Sequence, residues 1–307
     1  MTFAPRVSEE VAEALNLRRP VVALETTLVS HGFSAGRGLQ AALESEARVR
    51  AEGAVPATVG VLDGEIRVGL EAAELERFAA AGTQARKVGP RDLAACAVQG
   101  VLGSTTVGGT LAVCRLAGIR FLGTGGIGGV HRGFAETLDV SADLPQLARS
   151  RAVVVCSGAK SILDVAATTE LLETLGVPVL GWQTTTLPMF YSAAGGPPVS
   201  ATVSSVAEAA AIAAAHWQLG AASGLILARP PTDGLDIETL ITEAVERVRT
   251  DGVTGQSVTP SVLTAIEELS GGRSVEVNRA LIADNAALAA QVAVAYAAVA
   301  ADGGLPT

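Results

Sequence analysis

Short β-rich apolar runs alternate with segments of helical periodicity along most of the chain, and this alternation limits the fold more than any other feature. Val21 to Leu24, Ala57 to Val61, Arg120 to Leu122, Ala152 to Cys156, Val177 to Leu180 and Gly224 to Leu227 read as buried strands. Leu39 to Ala51, Thr106 to Leu116, Ser161 to Leu175 and Val206 to Leu219 carry helical spacing, and a long helix from about Val275 to Ala301 closes the chain. Local signals support the boundaries. Asp63-Gly64 predicts a hairpin turn into Glu65 to Val68, and Ser8 opens an acidic first helix. Ser205 to Glu208 fits a capping box, and Thr259-Pro260 offers an N-cap followed by proline at the first helical position. The pattern predicts an α/β fold, with a mostly parallel central sheet covered by helices on both faces. Neither a repeat nor a low-complexity linker divides the sequence, so residues 1–307 read as one domain.

Charge and cysteine usage exclude several classes of function. A formal net charge of -9 repels polyanions, so neither nucleic acid nor an anionic membrane is an expected partner. A local basic pocket for one small phosphate remains compatible with that balance. Cys96, Cys114 and Cys156 lack CxxC spacing and suggest reduced thiols rather than a disulfide framework. The amino terminus carries acids where a signal peptide has its apolar stretch, and the run Val292 to Ala301 is too short to span a bilayer. A soluble, cytoplasmic protein is expected.

The basic residues are sharply biased. Of the 22, only Lys87 and Lys160 are lysine. Where arginine serves wherever a positive charge suffices, a retained lysine can mark a need for a primary amine, which can lose its proton and attack carbon. Lys160 lies in Val153 to Asp164, where an apolar strand ends in a small-residue turn and the lysine is expected to open a helix. The helix field and an apolar surround would both depress its pKa there. Lys87 sits with Arg86 and Arg91 in a cationic stretch suited to an anion.

Three further segments put polar groups where a core would not. Val22-Ala23-Leu24 runs straight into Glu25; at the C-terminal end of a parallel strand, desolvation would favour a general acid. A capping or salt-bridged glutamate is the alternative, and His31 reads as a structural hydrogen-bonder. Thr105 to Thr110 and Leu122 to Gly129 are glycine-rich loops that can approach an anionic or sugar ligand. The second run satisfies GxGxxG, but no helix follows directly, so a dinucleotide site is not expected. Asp139 and Asp143, four apart with Ser141 between, could hold a hydrated hard cation, or Asp143 could cap a helix. The histidine spacing offers no zinc site.

These segments together resemble the pseudouridine-5′-phosphate glycosidase family, also called indigoidine synthase A-like. The matching stretches are VVALETTLVSHG, PATVGVLDGEIRVGL, KVGPRDL, TTVGGTLAVCRLAGIRFLGTGGIGGVHRG, TLDVSADL, SGAKSILDVAATTELLETLGVPVLG and NRALIADNAALAAQVAVAYA. The resemblance implies reversible cleavage of pseudouridine 5′-phosphate to uracil and ribose 5-phosphate by an Mn²⁺-dependent homotrimer. It implies Lys160 as nucleophile, Glu25 as proton donor and Asp139 as metal holder, partly through water. It also implies substrate contacts from Lys87, Val107, Ser141, Ala142 and Asp143, with Thr106 and Thr124 added near the phosphate. Departures occur at Phe33 to Gly38, at Gly89-Pro90 before Arg91, and at Arg229, where the family commonly has asparagine.

A C-glycoside explains why an amine is needed. Its base cannot leave as a protonated nitrogen heterocycle does, but an imine at C1′ would act as an electron sink for the adjoining C–C bond. The competing readings are a Schiff-base aldolase or lyase on another sugar phosphate or C-nucleotide, and a noncatalytic sugar-phosphate sensor.

Overall fold

The computed structural model describes residues 4–33, 36–235, 237–253 and 258–303. Its strands are β1 (Arg6–Val7), β2 (Val21–Glu25), β3 (Val55–Leu62), β4 (Glu65–Val68), β5 (Arg86–Val88), β6 (Gly103–Thr105), β7 (Phe121–Gly123), β8 (Val130–His131), β9 (Val153–Cys156), β10 (Leu163–Asp164), β11 (Val179–Trp182), β12 (Ala201–Val203) and β13 (Leu225–Ala228). The α-helices are α1 (Glu9–Asn16), α2 (Thr27–His31), α3 (Arg37–Ala51), α4 (Ala72–Ala81), α5 (Leu93–Val98), α6 (Val107–Ala117), α7 (Phe134–Thr137), α8 (Asp143–Leu147), α9 (Val165–Thr174), α10 (Val206–Gln218), α11 (Glu238–Thr250), α12 (Val258–Leu269) and α13 (Arg273–Gly303).

One sheet runs in the order β1-β4-β3-β2-β7-β9-β13-β11-β12. From β3 to β12 every neighbour in that path is parallel. β4 and β6 join β3 antiparallel, and β5 extends β6. The turn between β3 and β4 is the expected Asp63-Gly64 hairpin, with φ of 53° and 83° at its two residues.

Strand alternation divides the core into two layers, as a sheet covered on both faces requires. Val21 and Ala23 of β2 and Val154 and Cys156 of β9 enter one layer. Val22, Leu24, Val153 and Val155 enter the other, against α10 and α13. Alanine on α13 permits a close fit: a Cβ at Gly123 would stand 2.8 Å from the Ala286 Cα. By length and composition α13 could cross a membrane, yet 61% of its most apolar window is buried inside the fold. Its hydropathy serves the sheet.

Most strand ends fall within a residue or two of the sequence expectation, but the helix expected over Ser161 to Leu175 starts late. Asp164 caps α9 by accepting the Ala167 N–H at 2.9 Å, and Leu163 and Asp164 pair with β8. Lys160 therefore lies in a loop before the helix rather than opening it, and the helix-field argument for it does not apply. α12 already includes Val258, ahead of the expected Thr259 cap. Glu208 reaches back to the Ser204 N–H at 2.8 Å, so the Ser205 cap is not reciprocated as a full capping box.

The turn carrying Lys160 needs glycine at 158. Its φ is +81°, and an added Cβ would fall 1.9 Å from the Pro188 carbonyl oxygen. Gly158→Ala is expected to lower stability by about 2 kcal/mol or more in urea denaturation; an unchanged midpoint would contradict this packing.

Candidate active site

Parallel strands deliver the residues that follow them to one edge of the sheet. Glu25 ends β2, Thr124 follows β7 and Ser157 follows β9. Past the strand ends the last two loops remain paired. Thr124 N donates to Val155 O at 3.0 Å, Ser157 N to Gly125 O at 2.9 Å, Ile127 N to Gly158 O at 3.0 Å and Lys160 N to Ile127 O at 3.1 Å. This ladder, rather than a helix, carries Lys160 to the site. Lys87 arrives from β5, paired with Ser104 of β6.

The cavity at this edge has two lobes whose walls share Glu25, Thr27, Lys87 and Lys160. The larger, about 290 Å³, adds Arg91, Thr106, His131, Asp139 and Ser141 to Asp143. Its cations and hydroxyls suit a phosphorylated sugar, and they stand beside the carboxyl groups of Glu25, Asp92, Asp139 and Asp143. The smaller, about 50 Å³, is lined by His31, Phe33, Thr124, Phe190, Asn278 and Ile282. The Phe33 and Phe190 rings, with polar groups among them, suit a heterocycle.

Glu25 is 5% exposed and accepts a hydrogen bond from the Thr124 hydroxyl. Burial pushes its carboxyl above the ordinary range, opposed first by the positive charge of Lys160 and then by the Thr124 hydrogen bond. The acid therefore keeps its proton to higher pH than a solvated glutamate. Burial also lowers the pKa of Lys87, and the neighbouring charge of Lys160 lowers it further. Among the described residues, no ion pair engages either lysine. His31 Nε2 lies 3.0 Å from the Ala85 carbonyl, which can only accept, so this nitrogen carries the proton. Burial lowers the pKa of His31, leaving a neutral ring with Nδ1 as an acceptor.

Asp143 is buried, and both of its oxygens are engaged. Oδ1 accepts Gly108 N–H at 2.7 Å and Oδ2 accepts Gly128 N–H at 2.8 Å. With Thr106, which accepts Gly109 N–H at 3.1 Å, Asp143 caps α6 instead of its own helix. A Cβ at Gly108 would come within 2.9 Å of that carboxylate. Two amides of the glycine-rich loops thus bind an internal anion.

The cavity brings together Glu25, Lys87, Thr106, Thr124, Asp139, Ser141, Ala142, Asp143 and Lys160. Val107 is buried as the first residue of α6 and lines neither lobe. The cationic run divides: Lys87 and Arg91 face the cavity, whereas Arg86 donates to Gln99 at 2.7 Å. Arg229 pairs with Asp284 at 3.0 Å. Ser34 and Ala35 of the altered loop lie outside the described residues. Sequence reasoning misses His131, Phe190, Asn278 and Asn285. Two asparagines seven apart, on one face of an alanine-rich helix, are the available signal.

Among the described residues, no group of three or more His, Cys, Asp or Glu could hold a metal ion. With Asp143 engaged, Asp139 is half-exposed with His131 Nδ1 at 3.9 Å. That donor set fits a hard cation that retains most of its water, not a protein cage.

The fold and site define a class: an α/β protein whose mostly parallel sheet presents a buried acid at a strand end, with two lysines on the same cavity wall that form no ion pair among the described residues. Residues 10–295 match the model of the family described as indigoidine synthase A like protein, and the chain belongs to that family. It is 47% identical to a pseudouridine-5′-phosphate glycosidase of Herpetosiphon aurantiacus, covering 94% of this chain and 97% of that one. The Escherichia coli protein of the same name is 43% identical, with 95% of each chain covered. Among solved structures, the prealnumycin C-glycosynthase AlnA in complex with ribulose 5-phosphate superposes with a TM-score of 0.88 at 39% identity, covering 98% of this chain and 100% of that one. An indigoidine synthase A-like protein from Thermotoga maritima gives 0.83 at 35% identity, covering 90% and 92%.

Burial of Glu25 carries a signed consequence for stability. Its folded pKa lies above the unfolded value, so the wild type loses stability as pH rises from the unfolded toward the folded pKa. Glu25→Gln is therefore expected to gain melting temperature relative to wild type, by more at pH 8 than at pH 5. An advantage that shrinks with pH would contradict the raised pKa.

Proposed function

We propose that this protein reversibly cleaves the C–C glycosidic bond of pseudouridine 5′-phosphate, giving uracil and ribose 5-phosphate. The observation that carries this reading is the pair Glu25 and Lys160 on the wall common to a polar lobe, which holds the cations Lys87 and Arg91, and a smaller lobe lined by Phe33, Phe190 and Ile282. A sugar phosphate in the first and a pyrimidine in the second would place C1′ between the acid and the amine. The glycosidases of Herpetosiphon and Escherichia coli support the same substrate by name.

Glu25, whose proton burial helps to retain, gives it to O4′ as the ribose ring opens. Lys160 Nζ, as the free amine, bonds to C1′ as the C1′–O4′ bond breaks, and the proton it then loses returns to Glu25. Glu25 delivers that proton to uracil C5, which makes the base a leaving group; the C1′–C5 electrons return to the uracil ring while the nitrogen lone pair forms C1′=N. Water then hydrolyses the imine, releasing ribose 5-phosphate and the amine. Lys160 is taken as the nucleophile on the family resemblance of its motif, Ser157 to Asp164, and Lys87, on the same wall, is left to the phosphate. Lys87, Arg91 and Thr106 would hold the phosphate. Thr124, Ser141, Ala142 and Asp143 would contact sugar or base, whereas Val107 lines neither lobe. Asp139 would hold a hydrated Mn²⁺, which would supply positive charge beside the bound anion. A cytoplasmic homotrimer completes the reading, and the exposed side chains of Phe134 and Leu138 are ones an assembly would cover.

A second reading, C–C bond formation between the open sugar phosphate and another carbon nucleophile, is favoured by the likeness to AlnA. Both readings share Lys160. Lys160→Arg keeps the charge but removes the nucleophile, so kcat should fall by on the order of 10³-fold or more, with ribose 5-phosphate and uracil quantified together. A variant retaining wild-type turnover would overturn both readings.

A further inference from the structure

The residue that joins the two halves of the site is neither an acid nor an amine. Asn285, on α13, is fully buried. Its side-chain nitrogen donates to the Thr124 carbonyl at 2.8 Å and to the Ser157 hydroxyl at 3.1 Å. A carbonyl can only accept, so the orientation of the amide is fixed by Thr124. Thr124 is the residue whose hydroxyl binds Glu25, and Ser157 opens the turn that ends at Lys160. One amide thus ties the loop of the acid's partner to the loop of the amine.

We propose that Asn285 is a positioning residue for the reaction, clamping the backbone-paired β7 and β9 loops at Thr124 and Ser157 so that Glu25 and Lys160 share one cavity wall. This inference rests on the acid and nucleophile roles proposed above. A merely structural role fits the surroundings poorly. The neighbouring positions Ala283, Ala286 and Ala289 are buried and apolar, and Asn285 Oδ1 has no hydrogen-bond partner among the described residues. An orphaned buried oxygen costs about 1–3 kcal/mol, so an apolar side chain of similar volume would suit the helix better unless the donors are needed. Both donors are spent on the two catalytic loops.

The effect on Glu25 has a direction. The groups acting on it are Lys160, Lys87 and the Thr124 hydroxyl, which favour the carboxylate, and Asp143 and burial, which favour the acid. Releasing Thr124 removes one influence that favours the carboxylate, so the pH-rate limb governed by Glu25 should move to higher pH.

Kinetics with pseudouridine 5′-phosphate on Asn285→Leu, Thr124→Val, Glu25→Gln and the Asn285→Leu/Glu25→Gln double variant test the proposal. For Asn285→Leu we expect kcat to fall roughly 10- to 100-fold with KM within about threefold, the scale of an ångström misplacement. The pH limb should shift as in Thr124→Val, and the double variant should be no slower than Glu25→Gln alone. Asn285→Asp provides a same-shape control against misfolding, checked by thermal melting. It should show the same loss, partly recovered at low pH where the introduced carboxyl can donate. Wild-type kcat and pH profile in Asn285→Leu, or losses that multiply in the double variant, would overturn the positioning role alone. Wild-type activity in Glu25→Gln would instead overturn the acid assignment and the positioning role with it.

Discussion

The pairing of β7 with β9 does not stop where the strands stop. Four backbone hydrogen bonds continue it through Thr124 to Lys160, alternating from one loop to the other. Loops that follow parallel strands ordinarily diverge into their helices. Here they run on side by side, because small residues let them lie against α13 and the Phe190 ring. A Cβ at Gly126 would meet that ring at 2.6 Å. The consequence is a rigid platform that brings an amine from β9 and a hydroxyl from β7 to the acid of β2. Rigidity of this kind is what a covalent step needs, since reacting groups must be held close before the barrier is crossed.

The site also shows how polar groups near a reaction centre divide between chemistry and support. Asp143 has the burial of a catalytic carboxylate, but its oxygens are bound by Gly108 and Gly128. Those bonds fix the start of α6 and the glycine-rich loop relative to each other. Charge-assisted bonds to backbone amides are among the stronger ones available, so this carboxylate doubles as a structural anion. Glu25 differs because, among the described residues, a single hydroxyl meets it and burial dominates. The same residue type thus does different work according to how many donors surround it.

Much of this architecture is legible in the amino-acid sequence. Short β-rich apolar runs and period-3.6 patterns locate the main strands and helices, and Asp63-Gly64 locates the hairpin. The scarcity of lysine singles out the two amines that share a cavity wall. What periodicity leaves open is the path of residues 157–164, because a small-residue turn followed by an apolar stretch fits a helix start as well as an extended loop. Only the pairing with residues 125–131, distant in sequence, decides it. Asp143 is ambiguous for the same reason, since its partners come from two other segments. Asn278 and Asn285 stay hidden because an asparagine in an alanine-rich helix has no local signature of what it faces.

Borohydride reduction during incubation with ribose 5-phosphate, followed by peptide mapping, tests the central claim most directly. A covalent sugar adduct confined to Lys160 is the predicted result. Reduction that leaves the protein unmodified, or that places the sugar on Lys87, would contradict the account.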